Sequence, residues 1–137
     1  MKKKLNCILL VDDDESCNEF HQLIIEKTAC TEKVEVAYDG EEALAFLKSS
    51  INGVHPEPDI IFLDINMPGM NGWEFLEEYK KLEGEIKSKI VVMLTTSLNP
   101  NDKTRAEKTG CVDGFRSKFL SIKDVNEILL KHFPEYI

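Results

Sequence analysis

The chain has 137 residues, 42% of them hydrophobic and 31% charged, a size and balance that fit one globular domain and exclude a disordered or membrane-spanning chain. Its formal net charge of -8 opposes nucleic-acid phosphates and anionic lipid, so neither direct nucleic-acid binding nor membrane association is expected. Cys7, Cys17, Cys30 and Cys111 include no CxxC pair, and the apolar stretch after Lys2, Lys3 and Lys4 ends at Val11, too early for a signal peptide, so a cytoplasmic protein with reduced thiols is expected.

Residues 7–11 form a continuous apolar run bounded by charge, the pattern of a strand buried on both faces. A helix over residues 15–28 follows, with Cys17, Phe20 and Ile24 on one face. Residues 34–37 predict a weaker second strand. Asp39 with Glu42 reads as a capping box, in which each side chain bonds the other's backbone, opening a helix through Ala43, Leu44 and Leu47. Residues 52–58, with one Gly and two Pro, predict a surface loop before a third strand at 59–63. Asn71 can cap a third helix carrying Phe75, Leu76, Tyr79 and Leu82. A fourth strand at 90–94 leads to a helix with Pro100 in its first turn, and a weak fifth strand is placed at 112–115. The last helix has Ser121 and Asp124 as a capping box and Val125, Ile128, Leu129 and His132 at i, i+3, i+4 and i+7.

Five βα units in succession predict an α/β fold, with a parallel sheet covered by helices on both sides. In such sheets ligands bind beyond the carboxyl ends of the strands. Those ends carry Asp12 and Asp13, then Asp64, then Thr95 and Thr96, while Lys118 follows the fifth strand. Each residue alone is ordinary cap or turn chemistry. Together the carboxylates would repel one another without a cation, and an oxygen-rich site of this kind suits Mg²⁺.

The segment Leu63-Asp64-Ile65-Asn66-Met67-Pro68-Gly69-Met70-Asn71-Gly72 resembles the phosphoacceptor signature of response-regulator receiver domains. Leu10-Val11-Asp12-Asp13 is similar to their acidic pair, Val92-Met93-Leu94-Thr95 to their switch strand, and Phe115-Arg116-Ser117-Lys118 to their aromatic and lysine. The resemblance implies a flavodoxin-like (CheY-like) fold, strand order 2-1-3-4-5, with a single receiver domain over 1–137 (core about 5–133) and no output domain. It implies that Asp64 is the phosphoacceptor nucleophile. Asp13, Asp64 and the Asn66 backbone carbonyl would ligate Mg²⁺, and Asp12 would hold it through water. Lys118 would supply a second positive charge, Thr95 would donate to the phosphoryl group, and Phe115 would move inward as Thr95 moves. The donor would be a histidine kinase or histidine phosphotransfer protein. Output would pass to a protein partner through the face of the fourth helix, fifth strand and fifth helix, with a homodimer left open, and no external metabolite would be turned over.

Three residues depart from the family pattern. Phe119 stands where the family usually has a proline after a cis peptide, Thr96 where Ala is frequent, and Ser97 where longer side chains are. A trans Lys118–Phe119 peptide is the cheaper form, since cis costs ~3 to 4 kcal/mol before a non-proline residue. His21, His55 and His132 lack partners at ligand spacing and read as surface or partly buried histidines. Trp73 reads as a packing residue of the third helix. Competing readings are a receiver-like module that is never phosphorylated, a haloacid-dehalogenase-type phosphohydrolase, and a flavin-binding module. Asn66 occupies the position where the hydrolase needs its general acid, and the acidic rim opposes a flavin phosphate.

Overall fold

The computed structural model describes residues 4–82, 88, 90–96 and 99–136. Its elements alternate as β1 (Leu5–Val11), α1 (Glu15–Thr28), β2 (Thr31–Ala37), α2 (Gly40–Lys48), β3 (Ile60–Asp64), α3 (Gly72–Tyr79), β4 (Ile90–Thr95), α4 (Pro100–Thr109), β5 (Gly114–Ser117) and α5 (Ile122–His132), ending in a short 3₁₀ turn. The five strands are parallel, as the βα alternation predicted, and ordered β2-β1-β3-β4-β5, as the family resemblance implied.

The apolar runs are continuous because both faces of the sheet are covered. Side chains of a strand alternate between faces. Leu9, Val11, Ile61, Leu63, Val91 and Met93 accordingly pack with Leu47 of α2, Phe75 and Leu76 of α3 and Ala106 of α4. Ile8, Leu10, Ile60, Phe62, Val92 and Leu94 pack on the other side with Ile25 of α1 and Val125, Ile128 and Leu129 of α5. At ~25 cal/mol per Å² of apolar surface removed from water, these two clusters hold the central strands and fix where they end.

Several local readings are corrected. The inward face of α1 is Asn18, His21 and Ile25, while Phe20 is 43% exposed and Cys17 and Ile24 are only half-buried. Hydropathy misplaced this face because two of its three residues are polar and are buried against backbone carbonyls. Asp39 caps α2 by accepting the Glu42 N–H at 2.7 Å, but Glu42 accepts from Tyr38 rather than Asp39, so that box is not reciprocal. The boxes of Asn71 with Glu74 and of Ser121 with Asp124 are reciprocal. Leu82 lies beyond the end of α3, although it still packs against the core. Strand β5 begins two residues later than expected, because it is a half-buried edge strand whose side chains carry little pattern. Val112 and Asp113 only lead into it, Asp113 pairing with the backbone of Val91 through both its N–H and its carboxylate.

Candidate functional site

The carboxyl ends of β1, β3 and β4 and the segment after β5 meet on one rim. Asp12 follows β1 and is 3% exposed. Its N–H donates to the Ala37 carbonyl at 3.1 Å, its carbonyl accepts from Asn18 Nδ2 at 2.9 Å, and its Oδ1 accepts the Asp14 N–H at 2.9 Å. Asp13 is exposed beside it. Asp14 is turned to another task, capping α1 by accepting the N–H groups of Ser16 and Cys17. That acceptance satisfies two of the donors a helix start leaves open.

Asp64 ends β3 and is as buried as Asp12. Its Oδ1 accepts the Asn66 N–H at 3.3 Å, and the Ile65 carbonyl accepts the Gly72 N–H at 2.8 Å, closing the loop before α3. A Cβ on Gly72 would come within 2.6 Å of the Asp64 carbonyl oxygen and 2.9 Å of Ile65 Cα, so this close approach of α3 requires glycine.

Lys118 completes the site from the far edge. Its Nζ lies 3.2 Å from Asp12 Oδ2 and 3.4 Å from Asp64 Oδ2, with 13% of its side chain exposed. Both carboxylate oxygens are buried and receive no well-aligned hydrogen bond. Burial pushes the Asp64 carboxyl up to about 6, with repulsion from Asp12 adding to it and Lys118 only partly offsetting both. Burial pulls the Lys118 ammonium down, but Asp64 and Asp12 outweigh it and hold its pKa above the ordinary value.

Ligand oxygens of Asp12, Asp13 and Asp64 lie within 4.8 Å of one another. Three carboxylates at that spacing, two of them with a buried oxygen that faces the Lys118 ammonium without an aligned hydrogen bond, fit a hard divalent cation of the Mg²⁺ class. Of the residues the sequence pointed to, the structure brings the carboxylates of Asp12, Asp13 and Asp64 together. Asn66 sits next to the cluster with its side chain exposed.

Thr95 ends β4 and is 4% exposed, while Thr96 is exposed. Thr95 pairs with Ser117 and Met93 with Phe115, so all four residues share one face of the sheet. Phe115 is half-buried there, against the core beneath α4. Ser97 lies outside the described residues. The described residues contain no cis peptide, so Lys118–Phe119 is trans, and Phe119 is 75% exposed. Lys118 reaches the carboxylates even so.

Two residues at the site escaped the sequence reading. Asn18 and His21 are buried on the inward face of α1, Asn18 holding the Asp12 carbonyl and His21 Nε2 lying 2.9 Å from the Lys118 carbonyl oxygen. His21 is thus fully buried rather than partly so. The one available signal is spacing, since Asn18, His21 and Ile25 fall at i, i+3 and i+7.

The sequence profile of the response regulator receiver domain matches residues 8–129. The chain belongs to that family. It is 33% identical over 133 residues to the probable methanogenesis regulatory protein FilR2 of Methanothrix harundinacea, covering 94% of this chain and 81% of that protein. It is 31% identical to response regulator Rcp1 of a Synechocystis strain, covering 86% of this chain and 80% of Rcp1. The crystal structure of a two-component response regulator from Cytophaga hutchinsonii superposes with a TM-score of 0.81 at 31% identity, covering 97% of this chain and all of that one. Chemotaxis protein CheY4 of Vibrio cholerae superposes with a TM-score of 0.71 at 27% identity, covering 94% of this chain and 99% of that one. The receiver domain is a signalling switch of two-component systems rather than a metabolic enzyme. Among the described residues no helix is long and apolar enough to cross a membrane.

Proposed function

We propose that this receiver domain accepts a phosphoryl group on Asp64, from a histidine kinase or a histidine phosphotransfer protein, in a Mg²⁺-dependent reaction. The observation that carries this reading is Lys118 Nζ lying between Asp12 and Asp64 at ion-pair distance from both. A carboxylate attacks phosphorus only when charge on donor and acceptor is offset, and Lys118 supplies one positive group there. Mg²⁺, when bound, polarises the phosphoryl oxygens and holds the acceptor ionised. Asp13, Asp64 and the Asn66 carbonyl would hold it, with Asp12 behind a water.

An Asp64 carboxylate oxygen forms the new P–O bond as the P–N bond to the donor imidazole breaks and its electron pair returns to the ring. Thr95 then donates its hydroxyl to a phosphoryl oxygen, a charge-assisted bond that only the phosphorylated form offers. Phe115 follows inward on the same face. A groove of about 380 Å³ between α4, β5 and α5, bordered by Lys103, Ala106, Phe115 and Ile128, would be reshaped by that movement, and this face would contact the output partner. The domain acts as one unit over residues 5–133, in the cytoplasm, binds no nucleic acid itself, and leaves a homodimer open.

The test is intact-mass measurement after incubation with acetyl phosphate and Mg²⁺. Wild type gains one hydroxylamine-labile phosphoryl group, Asp64→Ala gains none, and Asp14→Ala, whose carboxylate caps α1, gains it normally. No gain in wild type would favour a receiver that signals by binding alone.

A further inference from the structure

We propose that His21 is the positioning residue for Lys118, donating from Nε2 to the Lys118 backbone carbonyl and so fixing where the ammonium stands between Asp12 and Asp64. This inference rests on the phosphoacceptor role proposed for Asp64.

Lys118 is badly placed to hold itself. It follows a four-residue edge strand whose residues are all half-buried, and its own side chain has four rotatable bonds. The next residue offers little anchorage, because Phe119 is 75% exposed and its N–H donates to Ser117 Oγ, at 3.0 Å, only two residues back at the end of β5. The chain is buried again only at Leu120. Two hydrogen bonds tie the Lys118 backbone to the rest of the fold. Its N–H donates to the Thr95 carbonyl at 2.8 Å, and its carbonyl accepts from His21 Nε2 at 2.9 Å. A carbonyl can only accept, so Nε2 carries the proton.

His21 is 97 residues away in sequence and 1% exposed. Burying an imidazole on the inward face of a helix is costly unless its N–H is used, and this bond uses it. The same face carries Asn18, one turn earlier, whose Nδ2 donates to the Asp12 carbonyl. Residues three apart on a helix are separated by ~4.5 Å along its axis, and that spacing is rigid. Helix α1 therefore holds the backbones of both Asp12 and Lys118, setting the distance between a carboxylate and the ammonium that pairs with it. A proline after Lys118, as the family usually has, would restrict the loop from within. Here an outside donor does so.

A helix-to-loop tether with no part in the reaction would lower thermal stability and leave labelling unchanged. The experiment measures initial rates of Asp64 phosphorylation by acetyl phosphate at saturating Mg²⁺. His21→Leu fills the volume without a donor, His21→Asn stops short of the carbonyl, and His21→Gln places its amide nitrogen near the position of Nε2. Ile25→Val, on the same helix face, serves as a control for lost stability.

Displacement of a reacting group by about 1 Å can cost about 100-fold, so His21→Leu and His21→Asn are expected to slow labelling by about tenfold or more, with the concentration of donor at half-maximal rate unchanged. His21→Gln is expected to return to within about threefold of wild type, and Ile25→Val to label normally. In ¹⁵N spectra the Lys118 amide and ammonium signals move in the Leu and Asn variants and stay in the Gln variant. Wild-type rates in both His21→Leu and His21→Asn, or a His21→Gln protein as slow as His21→Leu, overturn the inference alone. Failure of wild type to label at all overturns the phosphoacceptor reading and this inference with it. Should His21→Leu fail to fold, the comparison of His21→Asn with His21→Gln decides.

Discussion

The Arg105 guanidinium stands 4.3 Å from the centroid of the Trp73 ring, a cation–π contact that joins α4 to the first turn of α3. Trp73 follows Gly72, whose N–H is bonded to the Ile65 carbonyl one residue past Asp64. The indole is therefore linked to the loop after Asp64 on one side and to α4 on the other, more than the packing role its sequence position suggested. Adding Mg²⁺ is expected to change Trp73 emission, and beryllofluoride, a stand-in for the phosphoryl group, to change it further as α4 responds. Arg105→Ala should remove most of the beryllofluoride step and lower stability by about 0.5 to 1 kcal/mol. Fluorescence titration checks this, and emission that ignores both ligands would contradict it.

The raised carboxyl of Asp64 gives a pH dependence of definite sign. Its folded value of about 6 lies above the ordinary 3.8, so between those values the native state holds a proton that the unfolded chain has lost. Stability from this group falls as pH rises through that window. Asp64→Asn cannot lose a proton, so its advantage over wild type should open between about pH 4 and 6 and stay level above, reaching on the order of 2 to 3 kcal/mol without metal. Mg²⁺ should narrow the gap by stabilising wild type alone. Urea unfolding of both proteins from pH 4 to 8, with and without Mg²⁺, measures it. A gap that shrinks as pH rises would reverse the assigned cause.

Gly72→Ala is expected to be harmful and Gly40→Ala mild. The added methyl on Gly72 meets backbone, the Asp64 carbonyl and Ile65 Cα, which cannot step aside. On Gly40 it meets the Sδ and Cγ atoms of Met70, a flexible side chain that can. Overpacking against backbone costs ~1 to 3 kcal/mol and displaces Asp64 itself, so Gly72→Ala should also label more slowly. Equal denaturation midpoints for the two variants would show that the Asp64 loop yields as easily as a methionine.

What the sequence disclosed follows from which physical signal each residue carries. Strands covered on both faces are apolar without interruption, so β1, β3 and β4 were legible to within two residues at their ends, and with them the rim bearing Asp12, Asp64 and Thr95. Strand β5 is a half-buried edge, so its pattern was weak and its register slipped by two residues. Nothing in hydropathy distinguishes a polar residue buried against a carbonyl from one in water, which is why the α1 face was read through Cys17, Phe20 and Ile24. Beyond their helical spacing with Ile25, Asn18 and His21 gain meaning only once the Asp12 and Lys118 carbonyls are placed beside them.

The output step makes the sharpest demand on the structure. Thr95 and Phe115 lie on one face of adjacent strands, and the Thr95 carbonyl accepts from the Lys118 N–H at 2.8 Å, so the hydroxyl and the ammonium that would meet a phosphoryl group are coupled through backbone. A full switch from 1:99 to 99:1 needs ~5.5 kcal/mol of differential stabilisation, more than one charge-assisted hydrogen bond of ~1.5 to 3 kcal/mol provides. Thr95 alone therefore cannot throw a full switch, and further contacts to the phosphoryl group, Lys118 among the candidates, have to add to it. Thr95→Ala should still be phosphorylated, because the hydroxyl takes no part in forming the P–O bond, but its response at Phe115 should be markedly weaker. Spectra of wild type and Thr95→Ala with and without beryllofluoride test this. Wild type should shift signals between residues 99 and 132, and Thr95→Ala should keep its shifts near Asp12, Asp64 and Lys118 with only reduced shifts near Phe115. Equally large shifts near Phe115 in both proteins would show that the aromatic answers to Lys118 without Thr95, and shifts in neither would show that this face carries no output.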